Sequence, residues 1–181
     1  YKYHSEVSYL DELEKIWGKR WGAQGIGKLR EVVVAKPTEV EVDSLYDQDS
    51  TYFLFNGTKP DVELMQKQHD SMVSVYKKLG VKVHYLEYEE GALSYGLKKR
   101  SISAAACFVI NGGAIISRPA APSWRGREPD LCRFLLGIGC PILYMVHGKG
   151  VWIGAVRRMT DDFIVGMLST DCNRDGLEQV R

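Results

Sequence analysis

One recurring unit limits the folds open to this chain: a helix closed by Leu-Gly, followed at once by a short apolar strand. From Asp61 to Lys78 the apolar residues Val62, Met65, Met72, Val73 and Tyr76 recur at helical spacing, after the start signal Lys59-Pro60-Asp61. Leu79-Gly80 ends that helix, with Gly80 suited to a left-handed cap, and Val81-Lys82-Val83-His84-Tyr85-Leu86 then alternates with the period of a strand. Glu128 to Leu136 is predicted helical again, and Leu136-Gly137-Ile138-Gly139-Cys140-Pro141-Ile142-Leu143 echoes the first closure. A chain that returns to the same unit is an α/β protein built by repetition.

The remaining strands fit that scheme. Leu29 to Ala35, with Val32-Val33-Val34 at its centre and Lys36-Pro37 at its end, predicts a buried strand. Phe108-Val109-Ile110 and Ala114-Ile115-Ile116 flank Asn111-Gly112-Gly113, a turn sequence that takes positive φ readily, so they predict a hairpin. A third copy opens with a hairpin from Trp152 to Arg158 and Phe163 to Leu168 around Thr160-Asp161-Asp162, and a helix follows from Asn173. Without a strand after it, that copy leaves an apolar face uncovered, which predicts self-association or a partner chain. The opening Tyr1-Lys2-Tyr3 carries no initiator Met and suggests numbering that starts inside a longer product.

Composition removes several function classes. Lys plus Arg number 24 and Asp plus Glu 23, a net charge of +1, so the chain offers no general attraction to nucleic acid or to an anionic membrane surface. No stretch approaches the roughly 18 apolar residues of a membrane span. Cys107, Cys132, Cys140 and Cys172 form no C-x-x-C pair and have no His at zinc-finger spacing, so the sequence predicts no metal site or cofactor and suits a reducing, cytoplasmic setting.

Trp21-Gly22-Ala23, Leu29-Arg30-Glu31-Val32, Lys36-Pro37, Gln68-His69-Asp70, Phe108-Val109, Gly113-Ala114-Ile115-Ile116, Trp124-Arg125-Gly126-Arg127-Glu128, Pro141-Ile142-Leu143, His147-Gly148-Lys149-Gly150 and Asp161-Asp162 occur in an order that resembles one family. From about Trp21 to Arg181 the chain resembles the N-terminal portion of the amidinotransferase, arginine deiminase and dimethylarginine hydrolase superfamily of guanidino-modifying enzymes. The resemblance implies a partial β/α propeller, about three of five ββαβ-type repeats, in residues 29–181 after an N-terminal segment of residues 1–28. It also implies chemistry in which a Cys attacks the guanidinium carbon, a His shuttles protons, and carboxylates hold the planar cation. A buried guanidinium keeps its charge, so paired carboxylates are what make its desolvation tolerable and fix its plane for attack.

Against that pattern, the acidic position before the Phe-Val strand is Ala105, and the acidic positions after the His-Gly-x-Gly turn are Ile153 and Val156. The substrate-anchoring Arg-Thr-Asn segment falls near Ser169-Thr170-Asp171-Cys172-Asn173, where no Arg aligns, and the resemblance places the shuttling His and nucleophilic Cys beyond residue 181. Three functions stay open. The first is an incomplete or catalytically degenerate member with a residual binding or assembly role. The second is an active enzyme whose Cys and His come from a missing C-terminal portion or a second chain, and the third is a scaffold.

The residues left to touch a small guanidino compound such as arginine are Arg125, His147 and Cys172. Each has a structural alternative: an ion pair with Glu128 or Asp130, a strand-end turn, and a surface or half-buried thiol. Cys172 would gain thiolate character from the N-terminus of the helix that follows. Cys107, Cys132 and Cys140 sit among apolar residues as core thiols, and His69 and Asp70, adjacent on a helix, are expected not to face one another. Asp43, Asp47 and Asp49 lack the Gly and Glu of a calcium loop, and Gly22, Gly25 and Gly27 precede a strand where a phosphate cradle follows one. Trp17, Trp21, Trp124 and Trp152 are the large anchors, interface markers wherever exposed.

Overall fold

A computed structural model describes residues 6–22, 27–38, 60–86, 107–120, 125–153, 156–158 and 163–181. The chain divides into two compact units, one made of Tyr1–Gly27, Ala105–Ala120 and Leu131–Arg181, the other of Lys28–Ala104 and Ala121–Asp130.

The second unit holds β1 (Glu31–Val34), α2 (Val62–Lys78) and β2 (Lys82–Tyr85). Asp61 caps α2, its carboxylate accepting from Leu64 N–H at 3.0 Å, and satisfies one of the donors a helix start leaves open. Gly80, at φ +74°, turns the chain back, and β2 pairs parallel with β1 from Glu31 opposite Lys82 to Val34 opposite Tyr85. The β-branched run thus becomes a strand, but only Val34 is buried and Glu31, Val32 and Val33 are half-buried. The inner face of α2 is set by Val62 and Val73, and Met72, which the helical spacing places with them, lies outside that face at 41% exposure. The acidic loop of Asp43, Asp47 and Asp49 lies outside the described residues, as do Gly25, Trp124 and the turn at Thr160-Asp161-Asp162.

The first unit contains α1 (Tyr9–Trp17), β3 (Cys107–Ile110), β4 (Gly113–Ile116), α3 (Glu128–Gly137, from Leu131 onward), β5 (Ile142–Met145), β6 (Val156–Arg158), β7 (Ile164–Gly166) and α4 (Arg174–Gln179). β3 and β4 form the expected antiparallel hairpin, and β5 returns through α3 to lie parallel to β4, giving strand order β3-β4-β5. That path is one ββαβ unit. Its close packing has a visible cause: a Cβ on Gly113, already at φ +154°, would run into the Pro141 carbonyl, whose oxygen accepts from Ala114 N–H at 2.8 Å. α3 buries Leu131 and Leu135, one turn apart. β6 and β7 pair antiparallel and α4 follows, so the order hairpin then helix appears again.

The segment before residue 28 contains a helix that the sequence pattern left unassigned. Ser8 caps α1 by accepting from Asp11 N–H at 3.3 Å, Gly18 ends it at φ +77°, and Leu13 is buried. The Tyr9 hydroxyl donates to Gly112 O at 3.0 Å, fastening α1 to the β3–β4 turn.

Candidate functional site

His147-Gly148-Lys149-Gly150 leaves β5 as a tight turn, with Gly148 at φ +59°. Side chains from elsewhere in the unit take up its backbone groups. Gln179 Oε1 accepts from His147 N–H at 2.9 Å while Gln179 Nε2 donates to His147 O at 3.0 Å. Asn173 Nδ2 donates to Lys149 O at 2.9 Å, and Asn173 Oδ1 accepts from both Val151 N–H and Gly176 N–H at 2.8 Å. Arg118 donates to Gly150 O at 2.9 Å. Asn173 and Gln179 bracket α4, so this short helix clamps the turn at two points.

The His147 ring is exposed and its Nε2 lies 2.9 Å from the Tyr144 hydroxyl. Cys172 is 0% exposed in a cluster with Ile115, Val146 and Trp152, against which Phe108, Tyr144 and Leu177 pack. Its Sγ has Asn173 O at 3.8 Å, and burial pushes the thiol above its ordinary range. The expected surface or half-buried thiol is therefore a core thiol, and desolvation outweighs the field of the six-residue α4. No hydrogen bond joins Cys172 to His147.

Arg125 is half-buried, has an interaction partner, and belongs to the other unit. Ile153 is half-buried, with its N–H on Asp171 O at 3.0 Å. Val156 lies on β6, and Ala105 is outside the described residues. Cys140 is buried and Cys107 and Cys132 are half-buried; desolvation raises Cys107 to about 11 and Cys140 to about 12. Cys107, Cys132, Cys140 and Cys172 form no disulfide.

His69 Nδ1 and Asp70 Oδ1 do approach one another, at 3.5 Å, while Asp70 Oδ2 pairs with Lys36 Nζ at 2.9 Å. That contact sits at the outer limit of a hydrogen bond. Among the described residues no group of three or more His, Cys, Asp or Glu could hold a metal ion, and no helix is long and apolar enough to cross a membrane. Sequence reasoning missed Asn173 and Gln179, the two side chains that organise the turn. Asn173 directly before a helix was the available signal; Gln179 had none.

No family model matches the chain. A structure of dimethylarginine dimethylaminohydrolase from Pseudomonas aeruginosa, a cysteine-to-serine mutant complexed with citrulline, superposes with a TM-score of 0.62 at 19% identity, over 85% of this chain and 56% of that one. The chain has the fold of a dimethylarginine dimethylaminohydrolase. A second such hydrolase, a histidine-to-glycine variant in an adduct with S-methyl-L-thiocitrulline, gives a TM-score of 0.59 at 19% identity over 84% of this chain and 56% of that one. These neighbours are guanidino-modifying enzymes, as the order of sequence motifs implied. In sequence, a 2-nitroimidazole nitrohydrolase from Mycobacterium sp. (strain JS330) is 26% identical over 183 residues, which is 93% of this chain and 48% of the relative. The chain spans about half the length of that curated relative.

Proposed function

We propose that residues 29–181 are a partial β/α propeller, about three of five repeats, of a dimethylarginine dimethylaminohydrolase-like protein, and that this polypeptide by itself does not turn over guanidino substrates. The observation that carries this reading is the fate of Cys172. Its thiol is buried and pushed upward by desolvation, and its Sγ contact is to a backbone carbonyl. A thiol kept protonated in an apolar cluster is a poor nucleophile. His147 is occupied with Tyr144 at the end of β5.

The carboxylate positions argue the same way. Ile153 and Val156 in place of acids would desolvate a cation and return nothing for it. The role left to the chain is to bind a small guanidino compound such as arginine, or to assemble with itself or another chain. Four cysteines without a disulfide fit a reducing cytoplasm.

A second reading is favoured by the curated relative. Its name describes hydrolysis at a ring carbon flanked by two nitrogens, and a neutral azole needs no carboxylate pair. On this reading the chain is part of an active hydrolase whose Cys and His come from additional polypeptide. The purified 181-residue chain, incubated with arginine, a methylated arginine, agmatine or 2-nitroimidazole, tests the claim that it is inactive by itself, and turnover that appears only once the additional polypeptide is supplied marks the second reading. No citrulline, ammonia, amine or nitrite above a protein-free control supports the first reading, and steady release of any of them overturns it.

A further inference from the structure

We infer that β7 is an edge for docking a second copy of this chain: two copies pair antiparallel through β7, centred on Val165, as a twofold dimer. β7 has β6 along one edge, and among the described residues no strand lies along the other. In the preceding ββαβ unit the corresponding edge, that of β4, is covered by β5. The two faces of β7 also differ. One belongs to α4, since a Cβ on Gly166 would run into the Leu177 side chain. On the other, Phe163 is 60% exposed, Val165 45% and Met167 64%, the i, i+2, i+4 set of one strand face, and Leu168 follows at 54%.

The sequence of the edge points to its occupant. Folded proteins guard a free edge with charge, proline or a bulge, and Phe163-Ile164-Val165-Gly166-Met167-Leu168 carries no charged residue and no proline. An unguarded apolar run of this length pairs readily with an identical run. A net charge of +1 leaves little repulsion between copies. Antiparallel pairing about Val165 sets Val165 against the second copy's Val165 and Phe163 against the second copy's Met167. The bare residues of both copies then join on one face, and the contact closes on itself. Four exposed side chains supply on the order of 400 Å² per copy, about half of what a standard interface takes from each partner, so the dimer is weak, with a dissociation constant of roughly 10–100 µM. This deepens the assembly role proposed above and rests on it; oligomeric state and product release are read separately, so either can fail without the other.

Two measurements on the intact chain test it. Sedimentation equilibrium over about 5–500 µM is expected to show a mass that rises from monomer toward dimer and goes no further. Val165→Lys is expected to weaken association at least about tenfold by setting like charges against one another, and Ile16→Lys, on a 67% exposed residue of α1, to leave it unchanged. A chain that stays monomeric, a mass that climbs past the dimer, or equal effects of the two lysines overturns the proposal. Should circular dichroism show Val165→Lys unfolded, Met167→Lys takes its place with the same expectation. Crosslinking reads the register: under oxidised glutathione, Val165→Cys is expected to give a disulfide-linked dimer, because residues opposite one another in an antiparallel pair lie about 4.5–5.5 Å apart at Cα, within disulfide reach. Phe163→Cys, which faces the second copy's Met167, is expected to crosslink several-fold more slowly. Equal rates, or none above the parent chain, overturn the pairing.

Discussion

Gly176→Ala places two well-measured effects in opposition. In the middle of a helix, alanine ordinarily stabilises over glycine by about 0.5–1 kcal/mol, because glycine has more freedom to lose. Gly176 lies within α4 and is buried against the turn; a Cβ there would collide with Val151 O and come within 2.6 Å of Val151 C and 2.9 Å of Val151 N. All three atoms are backbone, so no rotamer change makes room. The helix must shift, and a shift loosens the bonds of Val151 N–H and Gly176 N–H to Asn173 Oδ1 and of Asn173 N–H to Val151 O. With overpacking at about 1–3 kcal/mol and strained hydrogen bonds at about 1 kcal/mol each, the clash exceeds the propensity gain, and a net loss of about 1–3 kcal/mol is expected. For a chain of this size that lowers Tm by roughly 3–10 °C. Gly137→Ala is the control: Gly137 ends α3, has no heavy atom within 4 Å of the added Cβ, and is expected to be neutral or slightly stabilising. Urea unfolding followed by fluorescence and circular dichroism reads both variants. A Gly176→Ala chain as stable as the parent would refute the close approach of α4 to Val151.

Asn173→Ala removes an acceptor for Val151 N–H and Gly176 N–H and a donor to Lys149 O, so urea titration should show a loss of about 2–4 kcal/mol, with Asn173→Asp milder because both accepted bonds survive. Burial raises Cys107, Cys140 and Cys172, so mass spectrometry after brief treatment with a thiol reagent at about pH 8 should find these three unmodified in the folded chain and modified in denaturant. A hydrogen bond from Lys36 holds the Asp70 carboxyl below its ordinary value. The folded state therefore gains from this pair above the unfolded carboxylate pKa and loses that gain as pH falls through the depressed value, so Asp70→Asn should flatten the acid limb of a stability–pH curve only slightly, the pair being exposed.

Where local chemistry alone decides the structure, the sequence could be read closely. Asp61 and Gly80 mark both ends of α2, and Asn111-Gly112 marks the β3–β4 turn, because cap and turn residues act over three or four positions. α1 escaped notice because Leu10, Leu13 and Trp17 make only a short apolar stripe, although Ser8 and Asp11 carried a usable cap signal. Met72 shares the apolar periodicity of α2 yet is 41% exposed, because periodicity marks an apolar arc without marking which part of it a neighbour covers. At the site, the glycines flanking His147 identified its turn, but the polar neighbours of Cys172 concealed its burial. That burial comes from Trp152, whose antiparallel bridge to Cys172 joins residues 20 positions apart. Spacing along the chain holds no record of such a contact.

The most direct test of the central claim is product release by the purified chain compared with its Cys172→Ala variant, using a guanidino substrate in one arm and 2-nitroimidazole in the other. The structure predicts that both proteins match the protein-free blank in both arms. Turnover by the parent that vanishes in Cys172→Ala, with folding retained by circular dichroism, would show that the buried thiol becomes a working nucleophile and would contradict the account.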